Sequence, residues 1–394
     1  TPMASGLIFS TDIARGILLN PLYIWIGLLS GLLMLWRVPG FSRNPVRGNP
    51  DLQAAAEDLR RLSVVIPAYN EQDRLPPLLD SLSRQRPSPL EVLVVDDGST
   101  DRTAGVAEAR GFRVIRSEDP GPGWIGKSRA CWTGARHTMG AWLLFLDADV
   151  TLDAPDSLAR LCAAYRAQGA NGLMSWQPYH RTRRLYESFS LFFSTITLAG
   201  IGVFTPLGER MSAAGAFGPA LFCTREAYEA AGGHRAVHGE VMEDLALGRR
   251  MRMAGHPVRC SPGRGILSFR MYPDGVAGLV EGWTKNFSTG AAWTHPLVLL
   301  LCVLWVTGGI VAAVRMIRML AGMPDPGQIA WAAGAYLGYV LLVGWNARKA
   351  GHWNPGAILL YPVSLIFFIF VFGWSWIRTR ILRRVSWRGR TIDL

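Results

Sequence analysis

The sequence predicts an α/β domain with a mostly parallel sheet, flanked by N- and C-terminal transmembrane helices. Three observations predict it. Short apolar, β-branched runs alternate with stretches of helical periodicity between residues 62 and 147, the pattern of a parallel sheet wound with helices. Three of these runs end in polar clusters, where open α/β sheets place their ligands. Uncharged runs long enough to span a bilayer lie on both sides of this region.

The composition of the 394 residues agrees: 49% are hydrophobic and 18% charged. That is too apolar for an ordinary soluble enzyme and too charged for a membrane bundle alone. The net charge of +12 reflects 41 Lys and Arg against 29 Asp and Glu. Much of the excess adjoins apolar runs, at Arg37, Arg43 and Arg47 and in the tail from Arg378 to Arg390. Basic residues there suit anionic lipid headgroups. No basic face with base-reading aromatics accompanies them, so no nucleic-acid partner is expected. The five cysteines are scattered and lack CxxC spacing, which predicts buried thiols rather than disulfides or a zinc site.

Taken in order, Gly16–Trp36 is uncharged and long enough to cross. It exceeds a signal-peptide core and lacks a small-residue cleavage site, so residues 1–40 are expected to hold an anchor. Residues 41–61 form a linker. Residues 62–274 form the α/β domain. Its strands are Ser63–Ile66, ending at Pro67, then Glu91–Val95, Arg113–Arg116 and Ala141–Leu146, which runs into Asp147. Its helices are Asp73–Arg84, Thr103–Arg110 and Ser128–Met139. Tyr186–Leu207 is apolar but lies between motifs that must share one compartment. It is expected at the membrane surface or in the wall of an acceptor tunnel, with a core helix as the alternative. Residues 275–295 read as interfacial. Residues 296–378 carry the apolar runs Pro296–Val314, Ile329–Trp345 and Ala357–Ile377, with Trp and Tyr at several ends, and 379–394 is a basic tail. Three crossings after a domain on the positive side would put that tail on the opposite side. Either one run fails to cross, or the tail breaks the positive-inside rule.

The polar clusters carry the chemistry. Asp147 and Asp149 offer two hard oxygen ligands two residues apart, suited to Mg²⁺ or Mn²⁺ with open positions for diphosphate oxygens. Asp96-Asp97-Gly98 can be a turn capping the next helix. Together with Pro67–Glu71 it reads as nucleoside recognition, with Tyr69 facing a base and Asp97 accepting from a uracil-type N–H. Gly121–Lys127 is a glycine-rich turn delivering a cation ahead of a helix, which makes Lys127 a diphosphate contact or an ordinary solvated lysine. Glu243 and Asp244 start a helix-periodic run, where a carboxylate can take a proton or merely cap the helix.

In this order, Ser63–Asp101, the Asp147-x-Asp149 pair, Gly215–Gly233 and Met242-Glu243-Asp244 resemble glycosyltransferase family 2. The Gly-Trp-x-Gly-Lys stretch ending at Lys127 and the flanking membrane runs resemble its membrane-bound branch of diaponeurosporenoate (carotenoid) and hopanoid-associated enzymes. The resemblance implies a GT-A fold and inverting transfer of one sugar from a nucleotide-sugar, a UDP-hexose, to a membrane lipid. It implies that Pro67, Tyr69, Glu71, Asp96 and Asp97 hold the nucleoside. Asp147 and Asp149 would hold metal and diphosphate, and Asp244, with Glu243, would act as base. The Gln-x-x-Arg-Trp motif of processive synthases is absent; Glu281–Phe287 stands in its place. Lys285 is assigned to the diphosphate there, and Trp283, Arg270 and Tyr272 to the acceptor, with Trp283 equally readable as an interfacial anchor. The rival readings are a polyprenyl-phosphate sugar transferase, using Arg181, Arg183 and Arg184, a polysaccharide synthase, or a non-catalytic scaffold. The expected location is a bacterial-type cell membrane with the catalytic domain in the cytoplasm.

Overall fold

The computed structural model describes residues 20–38, 52–119, 121–124, 127–322, 326–382, 384–387 and 390–393. The first part of the anchor run, most of the linker with Arg43 and Arg47, and parts of the Gly121–Lys127 turn and the tail lie outside them.

Before the sheet come α1 (Leu22–Met34) and α2 (Leu52–Leu59). The α/β domain opens with β1 (Leu62–Ala68), α3 (Leu75–Ser83), β2 (Glu91–Asp96), α4 (Thr103–Glu108), β3 (Arg113–Arg116), α5 (Ser128–Arg136) and β4 (Trp142–Leu146). It continues with β5 (Val150–Leu152), α6 (Ser157–Ala167), β6 (Leu173–Gln177), β7 (Tyr179–Arg181), α7 (Leu191–Gly200), β8 (Ala220–Thr224), α8 (Arg225–Ala230), α9 (Glu243–Met253), β9 (Val258–Pro262) and β10 (Leu267–Phe269).

Among the described residues seven strands form the main sheet in the order β3-β2-β1-β4-β8-β6-β9. The β3-β2-β1-β4 half is parallel throughout, β8 runs antiparallel to both neighbours, and β9 is parallel to β6. The central strands β1, β4 and β8 are apolar without strict alternation because both their faces are covered. Val64 and Ile66 face α3 and α6, with Leu79 and Leu161. Val65 faces α5 and α9, with Ala135 and Leu247. Four of the five cysteines are buried within the fold and none is bridged.

Beyond this domain follow α10 (Val276–Trp293), α11 (Pro296–Ala321), α12 (Pro326–Ala350), β11 (Gly351–His352), α13 (Pro355–Leu359), α14 (Tyr361–Arg380) and a hairpin of β12 (Arg384–Trp387) and β13 (Arg390–Asp393). Helices α11, α12 and α14 are each long and apolar enough to cross a membrane. The described helix of the anchor run is shorter, and it is packed into the others. A Cβ on Gly27 would stand 2.9 Å from Gly308 Cα, so the two backbones touch where only small residues allow it. Asn346 donates to Gly31 O (2.8 Å) and Lys349 to Leu35 O (2.8 Å), satisfying carbonyls that end α1.

Tyr186–Leu207 packs between the α/β domain and the apolar helices, with much of the run buried there. Its helix α7 is wedged between the two parts: Phe192 packs on Trp305 (5.2 Å between ring centres) and Phe193 on Trp283 (4.8 Å). A second sheet, β11-β7-β10-β5, also joins them, because β11 follows an apolar helix while β7 belongs to the α/β domain.

Candidate active site

The strand ends build one wall of the site. Asn70 turns the chain after β1 with φ of 53°, a conformation Asn tolerates better than most residues. The Asn70 side chain accepts from Thr100 N (2.9 Å), and Glu71 N donates to Thr103 Oγ1 (2.7 Å). The loops after β1 and β2 are thus stitched together. Asp96 takes part in that stitching, accepting from Ser99 N (3.1 Å). Asp97 instead reaches the cavity, and its Oδ1 accepts from Ser117 Oγ (2.7 Å) and Arg129 Nε (2.8 Å).

Lys127 is the electrostatic centre. Its ammonium donates to Asp147 Oδ1 (2.6 Å) and Gly218 O (3.0 Å) and stands 3.3 Å from Asp244 Oδ2. Burial alone would depress this ammonium, but Asp147 and Asp244 outweigh it and hold its pKa well above the ordinary value. Asp244 opens α9, and burial pushes its carboxyl up to about 7, against the pull of Lys127 and with the help of Glu243 and Asp147. The other oxygen, Oδ1, is buried and finds no hydrogen-bond partner among the described residues. Glu243 is buried beside it in the first helical turn.

A cavity of about 240 Å³ opens between this wall and α10. Pro67, Tyr69, Glu71, Asp97, Asp147 and Asp149 line the sheet side, with Lys127. Tyr272, Glu281 and Lys285 line the other side. Lys285 is half-buried, and desolvation lowers its ammonium pKa against the nearby carboxylates Glu243 and Asp244.

Two of the residues assigned to the acceptor are placed otherwise. Trp283 has its indole N–H on Ser190 Oγ (2.9 Å) and its ring stacked on Phe193. It is a core side chain of α10, 5% exposed. Arg270 is committed to buried Glu187, with Nε 3.1 Å from Oε1. Arg181, one of the arginines of the rival phosphate reading, is paired with Asp153 at 3.0 Å.

Three cavity or supporting residues were not singled out by sequence. Arg129 sits two positions after Lys127 on α5, and that spacing is its only signal. Arg74 lines the cavity from a segment without a motif, and Glu281 from the stretch in place of the processive motif, where no role was assigned to it.

Among the described residues no cluster of three His, Cys, Asp or Glu side chains makes a ready metal cage. Asp147 and Asp149 nonetheless fit Mg²⁺ or Mn²⁺, which are held by one or two carboxylates and completed by substrate phosphate oxygens. Both line the cavity, and Asp147 keeps 29% side-chain exposure.

Residues 63–207 match the family described as Glycosyl transferase family 2. Over 336 residues the chain is 36% identical to the 4,4'-diaponeurosporenoate glycosyltransferase of Staphylococcus aureus (strain USA300), covering 85% of this chain and 89% of that protein. The chain belongs to glycosyltransferase family 2. Among solved structures it is similar to mannosyltransferase PcManGT from Pyrobaculum calidifontis in complex with GDP-Man and Mn²⁺, at 19% identity over 93% of this chain and 98% of that one, TM-score 0.49. It is also similar to glucosyl-3-phosphoglycerate synthase from Mycobacterium tuberculosis, at 22% identity over 71% of this chain and 86% of that one, TM-score 0.43. Family membership and the mostly parallel seven-stranded sheet give this family 2 glycosyltransferase its GT-A domain, and the loops after β1, β2 and β4 line one and the same cavity.

Proposed function

We propose that the enzyme moves one sugar from a nucleotide-sugar, a UDP-hexose, to a membrane lipid such as a carotenoid or hopanoid, inverting the anomeric centre. The catalytic unit is residues 62–274, on the cytoplasmic face. The observation that carries the lipid half is the cavity's second wall. Lys285 and Glu281 stand on α10, the helix that α14 packs along through Phe287 and Phe368 (5.5 Å). The cavity is therefore bounded by a helix continuous with the apolar bundle, and a relative 36% identical bears the name 4,4'-diaponeurosporenoate glycosyltransferase.

In this reading Tyr69 and Asp97 hold the nucleoside, and Lys127 and Lys285 neutralise the diphosphate as it departs. A divalent cation on Asp147 and Asp149 would add Lewis-acid stabilisation of the same charge. Asp244 takes the proton of an attacking hydroxyl, for which its raised pKa suits it near neutrality. An acceptor carboxylate is already ionised, and Asp244 would then orient it. Mass spectrometry of purified enzyme with a panel of UDP-sugars and host lipid extract tests the proposal. Mass gain of one hexose on a lipid is expected. Neither transfer nor hydrolysis of any donor, with metal present, would overturn it.

A further inference from the structure

Helix α14 is long and apolar enough to cross a membrane, but its contacts give it a different path. The reference frame is the pair α11 and α12. α11 departs from the catalytic side: Trp293, just before it, lies under the guanidinium of Arg249 of α9 at 5.7 Å. α12 returns to that side, since β11 follows it directly and pairs with β7. Thr182 Oγ1 also donates to His352 O (2.7 Å).

The next segment goes inward again. Asn354 N donates to Ser188 Oγ (3.2 Å) on the catalytic side. By the end of α13, Leu359 O accepts from Tyr336 OH (2.7 Å), and Tyr361 OH donates to Gly309 O (2.9 Å). At a rise of 1.5 Å per residue, Gly309 and Tyr336 each lie about 20 Å from the catalytic ends of their helices. That is past the middle of a hydrocarbon core about 30 Å thick.

From there α14 climbs back. Phe368 meets Phe192 (6.2 Å), which itself packs on Trp305 (5.2 Å), a residue about 14 Å along α11. Ser375 Oγ donates to Thr284 O (2.6 Å) of α10, the helix that lines the cavity. The strand β12 then packs on α10 as well. Both ends of the segment therefore belong to the catalytic side. Its outward face carries Ile366, Phe370, Trp374 and Ile377, with Phe370 80% exposed, a stripe at helical spacing that none of the described residues covers.

We propose that residues 355–380 form a re-entrant hairpin that enters and leaves the bilayer on the catalytic side, with this stripe against the hydrocarbon of that single leaflet. Trp374 and Trp376 then sit at the interfacial level, and Arg378 and Arg380 meet anionic headgroups. The basic tail shares the compartment of the catalytic domain, so the positive-inside rule and the number of apolar runs are reconciled.

The test uses the full chain in sealed vesicles of both orientations and a membrane-impermeant maleimide. Three variants each place one exposed cysteine: Glu229→Cys on α8, Gly322→Cys after α11, and a cysteine appended after Leu394. The appended cysteine is expected to label in the same vesicle orientation as Glu229→Cys, and Gly322→Cys in the other. Labelling of the appended cysteine together with Gly322→Cys would overturn the hairpin. So would labelling of all three from one side, since α11 and α12 would then not cross.

Discussion

Gly218 stands so close to Asp244 that a Cβ built on it would lie 2.0 Å from Asp244 Oδ2 and 3.4 Å from Lys127 Nζ. Its carbonyl also accepts from that ammonium. The glycine thus fixes the space in which the lysine and the carboxylate meet. Gly218→Ala is expected to push Asp244 aside, costing about 1–3 kcal/mol through overpacking. The displacement should lower kcat/KM about 100-fold, the scale of a misplaced reacting group. Thermal unfolding and steady-state transfer on the same preparation check the two effects separately.

The pH dependence follows from Asp244. Its folded pKa, about 7, lies above the ordinary 3.8, so the folded protein keeps a proton that the unfolded chain releases. This contribution to stability is present below the ordinary value and is lost as pH rises through about 7. The base itself is free only above that point. Transfer to a hydroxyl acceptor should therefore rise about tenfold per pH unit up to neutrality and then level. Asp244→Asn should abolish this limb and lower the rate about 10²–10⁴-fold. A carboxylate acceptor should lack the limb in the unmutated enzyme.

Lys127→Met leaves Asp147 and Asp244 without the cation between them. A fall in kcat/KM of about 10²–10³ is expected from the lost stabilisation of developing charge. The Asp244 carboxyl, already raised by burial, should rise further, which moves the acid limb to higher pH. A rate loss with an unmoved limb would contradict the placement of this ammonium between the two carboxylates.

Removal of divalent cations with EDTA should stop turnover, and Mg²⁺ or Mn²⁺ should restore it. Calorimetric titration of UDP onto Asp149→Asn, with and without Mn²⁺, separates the contributions: the variant should lose the metal-dependent part of the affinity and keep the rest.

Arg270→Ala is expected to act on stability. Glu187 is 2% exposed, and removing the partner of a buried ion costs about 3–5 kcal/mol. Burial raises the Glu187 carboxyl, but Arg270 and the backbone N–H of Arg183 more than reverse this and hold it below the ordinary value. The stability it supplies is present above the ordinary glutamate pKa and is lost as pH falls through the lowered one. The variant should melt earlier at neutral pH, with the gap closing in acid. Any protein that stays folded should keep its acceptor KM.

The main sheet was readable because β1, β2 and β4 are buried on both faces and end in polar clusters, a signal contained in each segment. The second sheet was not, because β7, β10 and β11 are two or three residues long and their pairing is decided by distant partners. Trp283 shows the same limit within the site. An aromatic on a helix of mixed polarity reads equally as a binding face, an anchor or core, and its partner Ser190 is 93 positions away. Asp147 and Asp244 could be found because motif and element coincide. Arg129 could not, since its importance arises from Asp97, and Gly218, though inside the Gly215–Gly233 motif, shows its role only through the closeness of α9.

The two-residue strand β11 ties the end of α12 to β7, and α10 ties the cavity to α14. On the lipid-acceptor reading these ties set the height of the cavity mouth above the leaflet, as a fixed arm sets the height of a tool. A hydrophobic slab that thickens or thins moves a lipid's reactive end relative to that mouth. Bilayer thickness then becomes a determinant of turnover in its own right, and so does the length of the acceptor beneath its reacting group.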